Sequence, residues 1–485
     1  MGCGANEERG KLVYESYCGT CHLAAKPGDL PKALWANSVL PDMASRLGLS
    51  INGYDPYAGI PWQEKAMMAS INPYPSTPLI SEEDYTLIHT YILAHAPEEL
   101  RIDDRSGRTL SLDQFSSEII TIDQRTGGHT TFLGYDESSS SFTIGNIAGY
   151  LLSLNASRLD TLGKTYSPIT AWSGIGTSGV LADVGVMAPS EMREGKISQV
   201  SADLVTNIKV DLHRPVYVLE QDLNNDGVQE ILICEYGYYS GQLTLLEQTR
   251  EDKYDARSLL NVPGTTRVIA QDMNHDGLTD LVVVVGQGNE GVYILYQTEG
   301  LHFTPEQVLK QNPLAGTSWM ELVDYDHDGD MDLVLAQGDN ADLSYTLKPY
   351  HGVRIFLNDG ADQFTEAFFY PIFGATRVLA RDFDEDGDID LAVNAYFPDF
   401  DALPEESFVY LENVDAALFQ FQARTFPDAT RGRWITSEAG DYDGDGDLDI
   451  MLGSFTHTPT PVPPAIMENW NTVGTDMILL RNHLR

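Results

Sequence analysis

The second half of the chain repeats one arrangement of apolar and polar positions. A short apolar run, such as Tyr217-Val218-Leu219 or Arg267-Val268-Ile269, leads into a polar, glycine-containing stretch. A second apolar run follows, as in Ile231-Leu232-Ile233 or Leu281 to Val285. Runs this short, bounded by turn residues, read as buried strands rather than helices. The first hundred residues have a different period. Glu8 to Tyr17 reads as a short helix with Leu12, Val13 and Tyr17 on one side. Ser81 to Ala96 reads as another, carrying Tyr85, Leu87, Ile88, Tyr91 and Ile92. The second opens like a capping box, with Ser81 as cap and Asp84 in place of the usual Glu. No apolar run approaches the length of a membrane span.

A chain of 485 residues is too long for one ordinary core, so several domains or a repetitive architecture are expected. Its formal charge of −42 repels phosphate backbones and anionic headgroups, which argues against nucleic acid and for divalent cations as partners. The sequence shows no nucleophile elbow, H-E-x-x-H, phosphate loop or nucleotide fingerprint. Its eleven histidines form no constellation apart from His22, and His213, His275 and His327 are expected to be solvated loop residues.

The cysteines Cys3, Cys18, Cys21 and Cys234 are too few and too unevenly spaced for a disulfide framework. Gly2-Cys3-Gly4 looks like the end of a bacterial lipoprotein signal, so Cys3 is either a lipid anchor or a cysteine in a frayed tail. Cys18-Gly19-Thr20-Cys21-His22 fits C-x-x-C-H, the spacing at which two thiols add to haem vinyl groups while the imidazole reaches the iron. A redox pair would need a βαβ frame and a zinc site a second pair of ligands, and neither companion is present.

Residues 7 to 97 resemble class I cytochrome c in the order of their parts: a helix ending in C-x-x-C-H, a loop-rich middle, and a last helix Asp84-Tyr85-x-x-Ile88-x-x-Tyr91-Ile92. The resemblance implies haem c held by Cys18, Cys21 and His22, with a distal methionine. Met43 is favoured for that role over Met67 or Met68, and His89 or His95 rank last. The Met-Pro usual before the last helix is replaced here by Tyr74-Pro75-Ser76-Thr77-Pro78. An open sixth position would instead suit a peroxidase or gas sensor.

From about residue 200 a nine-residue segment recurs, starting at Asp222, Asp272, Asp324, Asp382 and Asp441, a spacing that suits propeller blades or solenoid units. The copies are DLNNDGVQE, DMNHDGLTD, DYDHDGDMD, DFDEDGDID and DYDGDGDLD. Positions 1, 3, 5 and 9 offer hard oxygens around a calcium-sized ion, with Gly at 6 for the bend. The expected ligands are Asp222, Asn224, Asp226 and Glu230; Asp272, Asn274, Asp276 and Asp280; Asp324, Asp326, Asp328 and Asp332; Asp382, Asp384, Asp386 and Asp390; and Asp441, Asp443, Asp445 and Asp449. An EF-hand would need a Glu at 12 and flanking helices, and dockerin repeats lie closer together. One such turn could be an empty polar loop, but five copies in register argue against that reading.

This half, about residues 165 to 485, resembles the FG-GAP or VCBS repeats of calcium-binding β-propellers. By that resemblance each blade continues into an outer strand: Gly291 to Leu295, Val353 to Leu357, Phe408 to Leu411 and Met477 to Leu480. Two blades without acidic turns are expected around Ser141 to Thr161 and Pro168 to Ser198, making seven. A strand near Glu118 to Ile122 or Thr130 to Tyr135 should complete the last one and remove the open edge.

Counting five residues back from each acidic segment gives Tyr217, Arg267, Trp319 and Arg377, with Arg433 and Trp434 after a two-residue slip. These residues, with Trp172, are expected at the mouth of the central channel, as a face for a carboxylate, sugar or partner; the alternative is that they only cover the inner strands.

The fold expected is therefore multidomain: a small all-α cytochrome c-like domain (1–97), a linker (98–117) and an all-β, seven-bladed propeller (118–485). The expected function is an exported electron carrier, periplasmic or at the cell surface. It would hold one haem c and about five calcium ions and meet a redox partner protein or a small-molecule or carbohydrate ligand. The alternatives are a haem-linked dehydrogenase with its active site on the propeller, and a calcium-dependent carbohydrate-binding or adhesion protein.

Overall fold

Alternating apolar runs separated by tight acidic turns give antiparallel sheets, and seven of them are arranged as a β-propeller. The structure, a computed structural model, describes residues 3–51, 53–122, 126–202, 204–250, 253–341, 345–457 and 460–484, without the side chains of residues 3–5. The first strands of the blades are Thr130–Asp136, Ile169–Ile175, Pro215–Gln221, Thr265–Gln271, Thr317–Val323, Ala375–Arg381 and Trp434–Gly440, and they number blades 1 to 7. These strands contact one another around the axis, and later strands lie progressively outward. The second strand of blades 3 to 7, Asp280–Val285 for example, is buried along its whole length, as a strand covered on both faces should be.

Blades 1 and 2 include the two segments expected without acidic turns, although blade 1 begins earlier, at Thr130. The ring closes through Phe115–Ile120, which pairs antiparallel with Met477–Asn482 of blade 7 as its outer strand. Thr130–Asp136 is instead the first strand of blade 1, with no part in closure.

The segment expected as a linker is largely built into the fold. Arg105 is buried and ion-pairs with Glu406 at 2.9 Å, and its guanidinium lies 3.9 Å from the Phe373 ring centroid. Leu110–Ser111 pairs in parallel with the outer strand of blade 6, and Gln114 donates to the Phe383 carbonyl at 2.8 Å. The chain thus wraps the rim of blade 6 before entering blade 7, because the edge there has unpaired backbone groups to satisfy.

Residues 3–96 form helices around their own apolar cluster of Tyr14, Leu30, Trp35, Leu40, Tyr85, Ile88 and Ile92. Helix Cys3–Cys18 crosses helix Glu82–His95 at Gly10, where a Cβ would stand 3.0 Å from Leu87 O and Tyr91 Cβ. Only glycine allows this approach without displacing the partner backbone. Ser81 caps the second helix, its hydroxyl accepting from Asp84 N at 3.0 Å.

This helical unit rests on the propeller face opposite the acidic turns. Its contacts are with loops joining second to third strands and with links between blades. Tyr74 and Tyr239 share a 2.8 Å hydroxyl hydrogen bond, Arg46 lies over Tyr239 at 5.0 Å, and Asn312 donates to Asp29 at 2.6 Å. No helix among the described residues is long and apolar enough to cross a membrane.

Candidate functional site

Cys18 ends the first helix, and Cys21 and His22 follow in the turn after it. Both thiols are free; Cys21 is exposed, and Cys18 and His22 are half-buried. His22 Nδ1 meets the Leu23 carbonyl at 2.9 Å. A carbonyl only accepts, so Nδ1 carries the proton and Nε2 keeps its lone pair for a metal. Burial and the nearby Cys21 push the Cys18 thiol up to about 12, so it remains protonated at neutral pH. Cys18 and Met43 both pack against the apolar cluster of the helical unit, whereas Met67 and Met68 are not among its side chains. His95 has both nitrogens engaged, with Tyr91 O at 2.8 Å and Glu7 at 3.0 Å. The side chain of Cys3, the candidate lipid anchor, lies outside the described residues.

The five acidic segments fold alike. Position 4 is left-handed in each (Asn225, His275, His327, Glu385 and Gly444), and so is the glycine at position 6. In blades 3 to 6 the first carboxylate turns inward to take the amide of that glycine, as in Gly227 N to Asp222 at 2.9 Å and Gly277 N to Asp272 at 2.9 Å, whereas in blade 7 Asp441 takes the amide of Gly444 at 2.7 Å. The fifth accepts the amide of position 7, as in Val228 N to Asp226 at 2.8 Å and Leu278 N to Asp276 at 2.9 Å.

Position 9 is buried and braced. Asp332 accepts Tyr325 N and Asn358 N at 2.8 Å each, so this residue ties the turn to the third strand as well as facing the turn. Asp280, Asp390 and Asp449 repeat the arrangement. Carboxylate oxygens converge within 4.8 Å in three turns: Asp324, Asp326 and Asp332; Asp382, Asp384 and Asp390; and Asp441, Asp443 and Asp445. These groups bring together positions 1, 3 and 9 in blades 5 and 6 and positions 1, 3 and 5 in blade 7. Asp324 Oδ1 is buried without a hydrogen-bond partner, which fits a cation. In blades 3 and 4 Asn224 and Asn274 occupy position 3, so each offers one carbonyl in place of a carboxylate. In blade 7 Arg481 ion-pairs with Asp443 and lies 3.1 Å from Glu118, supplying an internal positive charge.

His275 and His327 are exposed turn residues, as expected, and only His213 departs from the solvated expectation. His275 reaches Asp330 at 3.5 Å and His327 reaches Gly387 O at 3.3 Å, each bridging to the next blade's turn. His213 is buried on the opposite face, 2.9 Å from the Ser240 hydroxyl, and burial lowers its pKa.

Four of the residues expected at the channel do converge. The guanidinium carbons of Arg267 and Arg377 lie 4.0 and 3.7 Å from the Trp319 ring centroid, and Tyr217 meets the same ring edge-on at 6.3 Å. Blades 3 and 5 are not neighbours, so the last contact spans the axis. Trp172, Arg433 and Trp434 lie elsewhere. Trp172 packs between blades 1 and 2 against Leu151 and Leu181. Arg433 lies over Tyr396 at 4.0 Å, and Trp434 is fully buried in the core of blades 6 and 7. The reason is register: Thr436 pairs with Gly453 as Trp319 pairs with Ala336, so blade 7 has no two-residue slip and its equivalent position is Thr436.

Residues 272–335 match the FG-GAP-like repeat family. That stretch runs from the turn of blade 4 into the second strand of blade 5. No curated protein matches the chain. Among solved structures the chain is similar to the Cps50 (Swd1) β-propeller domain of Myceliophteria thermophila, at 11% identity, 76% of this chain, 100% of that one and TM-score 0.44. It is also similar to the Pan2 WD40 domain of Neurospora crassa, at 12% identity, 67% and 86% coverage and TM-score 0.41. A third similarity is to an ancestral GH74 enzyme, at 9% identity, 78% of this chain, 51% of that one and TM-score 0.47.

Sequence reasoning missed two features of the propeller. Glu321 and Glu438 enter the channel three positions before their turns. Glu321 takes Arg267 at 2.5 Å and Arg381 at 3.0 Å, while Glu438 lies 3.5 Å from Arg377. An acid at that position stands in only two of the five repeats, a faint signal. The other feature is an amide ending the third strand: Asn482 Nδ2 donates to the preceding blade's Phe383 O at 2.8 Å, and Gln297 Nε2 to Leu223 O at 3.0 Å. Loops of unequal length precede these amides, which hides them from a fixed-period search.

Proposed function

We propose that this chain is an exported c-type cytochrome that carries electrons, joined to a calcium-stabilised propeller that docks a partner or ligand. The observation that carries the reading is C-x-x-C-H at the end of a helix, with free thiols, a His22 Nε2 open to a metal, and Met43 on the same apolar cluster as Cys18. Cys18 and Cys21 would hold haem c covalently, His22 would be its proximal ligand and Met43 the distal one. Bound there, the group would supply one-electron exchange with a redox partner. The chain's own part is to fix the His22 tautomer through Leu23 O and to keep water from one side with Tyr14, Trp35 and Tyr85.

About five calcium ions at the acidic turns would offset part of the −42 charge and couple metal binding to folding. Haem attachment of this kind and millimolar calcium both point to the periplasm or cell surface, and Cys3 would carry a lipid. The propeller, with its FG-GAP-like repeat, is the ligand- or partner-docking module.

The test is an optical spectrum of protein matured with a haem-attachment system, oxidised and reduced. The expected result is a covalent haem that survives denaturation and is lost in Cys18→Ala/Cys21→Ala, with a methionine charge-transfer band lost in Met43→Ala. A wild-type chain without covalent haem overturns the cytochrome reading. Reduction of the haem by an added substrate would make the propeller an enzyme instead.

A further inference from the structure

We infer that the central channel binds a small organic monocarboxylate, held by the guanidinium groups of Arg267 and Arg377 beside Trp319. The inference deepens the ligand-docking reading of the propeller and rests on it. It starts from donors that the fold leaves unmatched. Arg377 is 8% exposed, its Nε has no hydrogen-bond partner, and its ion-pair neighbour, Glu438, is 3.5 Å away. Arg267 gives Nη1 to Met320 O and Glu321, but its Nε is also buried without a partner. Asn394 pairs with Arg377 in register and is fully buried, with neither Oδ1 nor Nδ2 satisfied. Native interiors rarely leave such groups unpaired unless a ligand, ion or water meets them.

Charge selects among those occupants. Arg267, Arg377 and Arg381 face Glu321 and Glu438, which leaves one positive charge inside a chain of net −42. A single carboxylate balances it, and the planar fork of arginine matches carboxylate geometry. A phosphate dianion would overshoot beside two fixed glutamates.

Access is from the acidic-turn face. Side-chain exposure falls from 37% at Arg381 to 23% at Glu438 and 10% at Arg377. On the opposite face Tyr396, Phe397 and Phe455, which follow second strands, form an apolar cluster against which Ile147 and Met187 pack.

The test is thermal unfolding of the full chain, with acetate or formate titrated against chloride at fixed ionic strength and with glucose as a neutral arm. Acetate or formate should raise the transition saturably, and chloride and glucose should not. Asn394→Asp places a carboxylate beside Arg377 at nearly unchanged volume. It should raise the transition by itself and abolish the acetate response, and Arg377→Met should abolish the response too. No saturable response in wild type, or an equal response in Asn394→Asp, overturns the inference even where Arg377→Met fails to fold. A response to glucose alone would overturn the carboxylate and leave the docking reading standing. Silence of every arm, with no binding of glycans or partner proteins either, would remove both.

Discussion

Glu321 accepts a 2.8 Å hydrogen bond from the indole Nε1 of Trp319, two residues earlier on the same strand. The ring that both channel arginines stack on is thereby fixed in place by the carboxylate that also pairs with Arg267 and Arg381. Burial pushes this carboxyl up, but the two arginines and the hydrogen bonds from Arg267 and Trp319 outweigh it and hold the group at about 2.

An acid whose folded value lies below its ordinary value of 4.5 stabilises the protein above that pH and loses the contribution as pH falls toward 2. Glu321→Gln should therefore cost stability on the order of 3 kcal/mol near neutrality, with the gap to wild type narrowing between pH 4.5 and 2. Denaturant unfolding of both proteins across that window measures it. A gap that does not narrow would show that Glu321 acts by shape alone.

The acidic turns make the opposite prediction. Burial, joined by neighbouring carboxylates, raises Asp332 to about 6, Asp390 to about 7 and Asp449 to about 6. Raised acids favour the fold while protonated, so in EDTA the unfolding temperature should fall as pH rises from 5 to 8. Saturating calcium should remove the fall, because the ion replaces the lost protons. Asp324→Asn, which neutralises the buried unpartnered oxygen, should weaken calcium binding in blade 5 about tenfold or more by isothermal titration. Equal pH profiles with and without calcium would speak against cation binding at these turns.

Helix crossing at Gly10 gives a test confined to the helical unit. A valine there would drive carbon into Leu87 O and Tyr91 Cβ, each of which would stand only 3.0 Å from the first side-chain carbon. Overpacking of this kind costs about 1–3 kcal/mol. Gly10→Val should lower the helical unit's transition and the yield of covalent haem while calcium binding by the propeller stays unchanged. Hydrogen exchange resolved along the chain separates the two parts, and equal loss of protection in both would refute the assignment.

Legibility follows periodicity. The five turns can be read because Asp, Gly and Asp recur at blade spacing, and Arg267, Trp319 and Arg377 because they keep a fixed offset from those turns. Arg433 and Trp434 fall outside the channel because counting to them requires a slip that the Thr436–Gly453 pairing does not contain. Arg105 has the local pattern of a polar linker, since its partner Glu406 lies about three hundred residues away and no short-range signal announces a long-range buried pair. The same distance hides the contact of Phe115 with Phe383 and Tyr410, on which closure of the ring depends.

That closure makes the final prediction. Phe115 is buried, its ring 5.7 Å from Tyr410 and 6.3 Å from Phe383, and it anchors the first residue of the strand that covers Met477–Asn482. Ser116 to Ile119 are exposed, so only the half-buried Ile120 at the far end adds to the burial that Phe115 supplies. Phe115→Ala should cost about 3–5 kcal/mol and release the strand. Limited proteolysis should then cut between residues 98 and 121 far faster than in wild type, and the uncovered edge of blade 7 should promote self-association visible by light scattering. Leu110→Ala, at an exposed position of the neighbouring rim strand, should do neither. Unchanged cleavage in Phe115→Ala would mean that backbone pairing alone, without the aromatic anchor, keeps the ring shut.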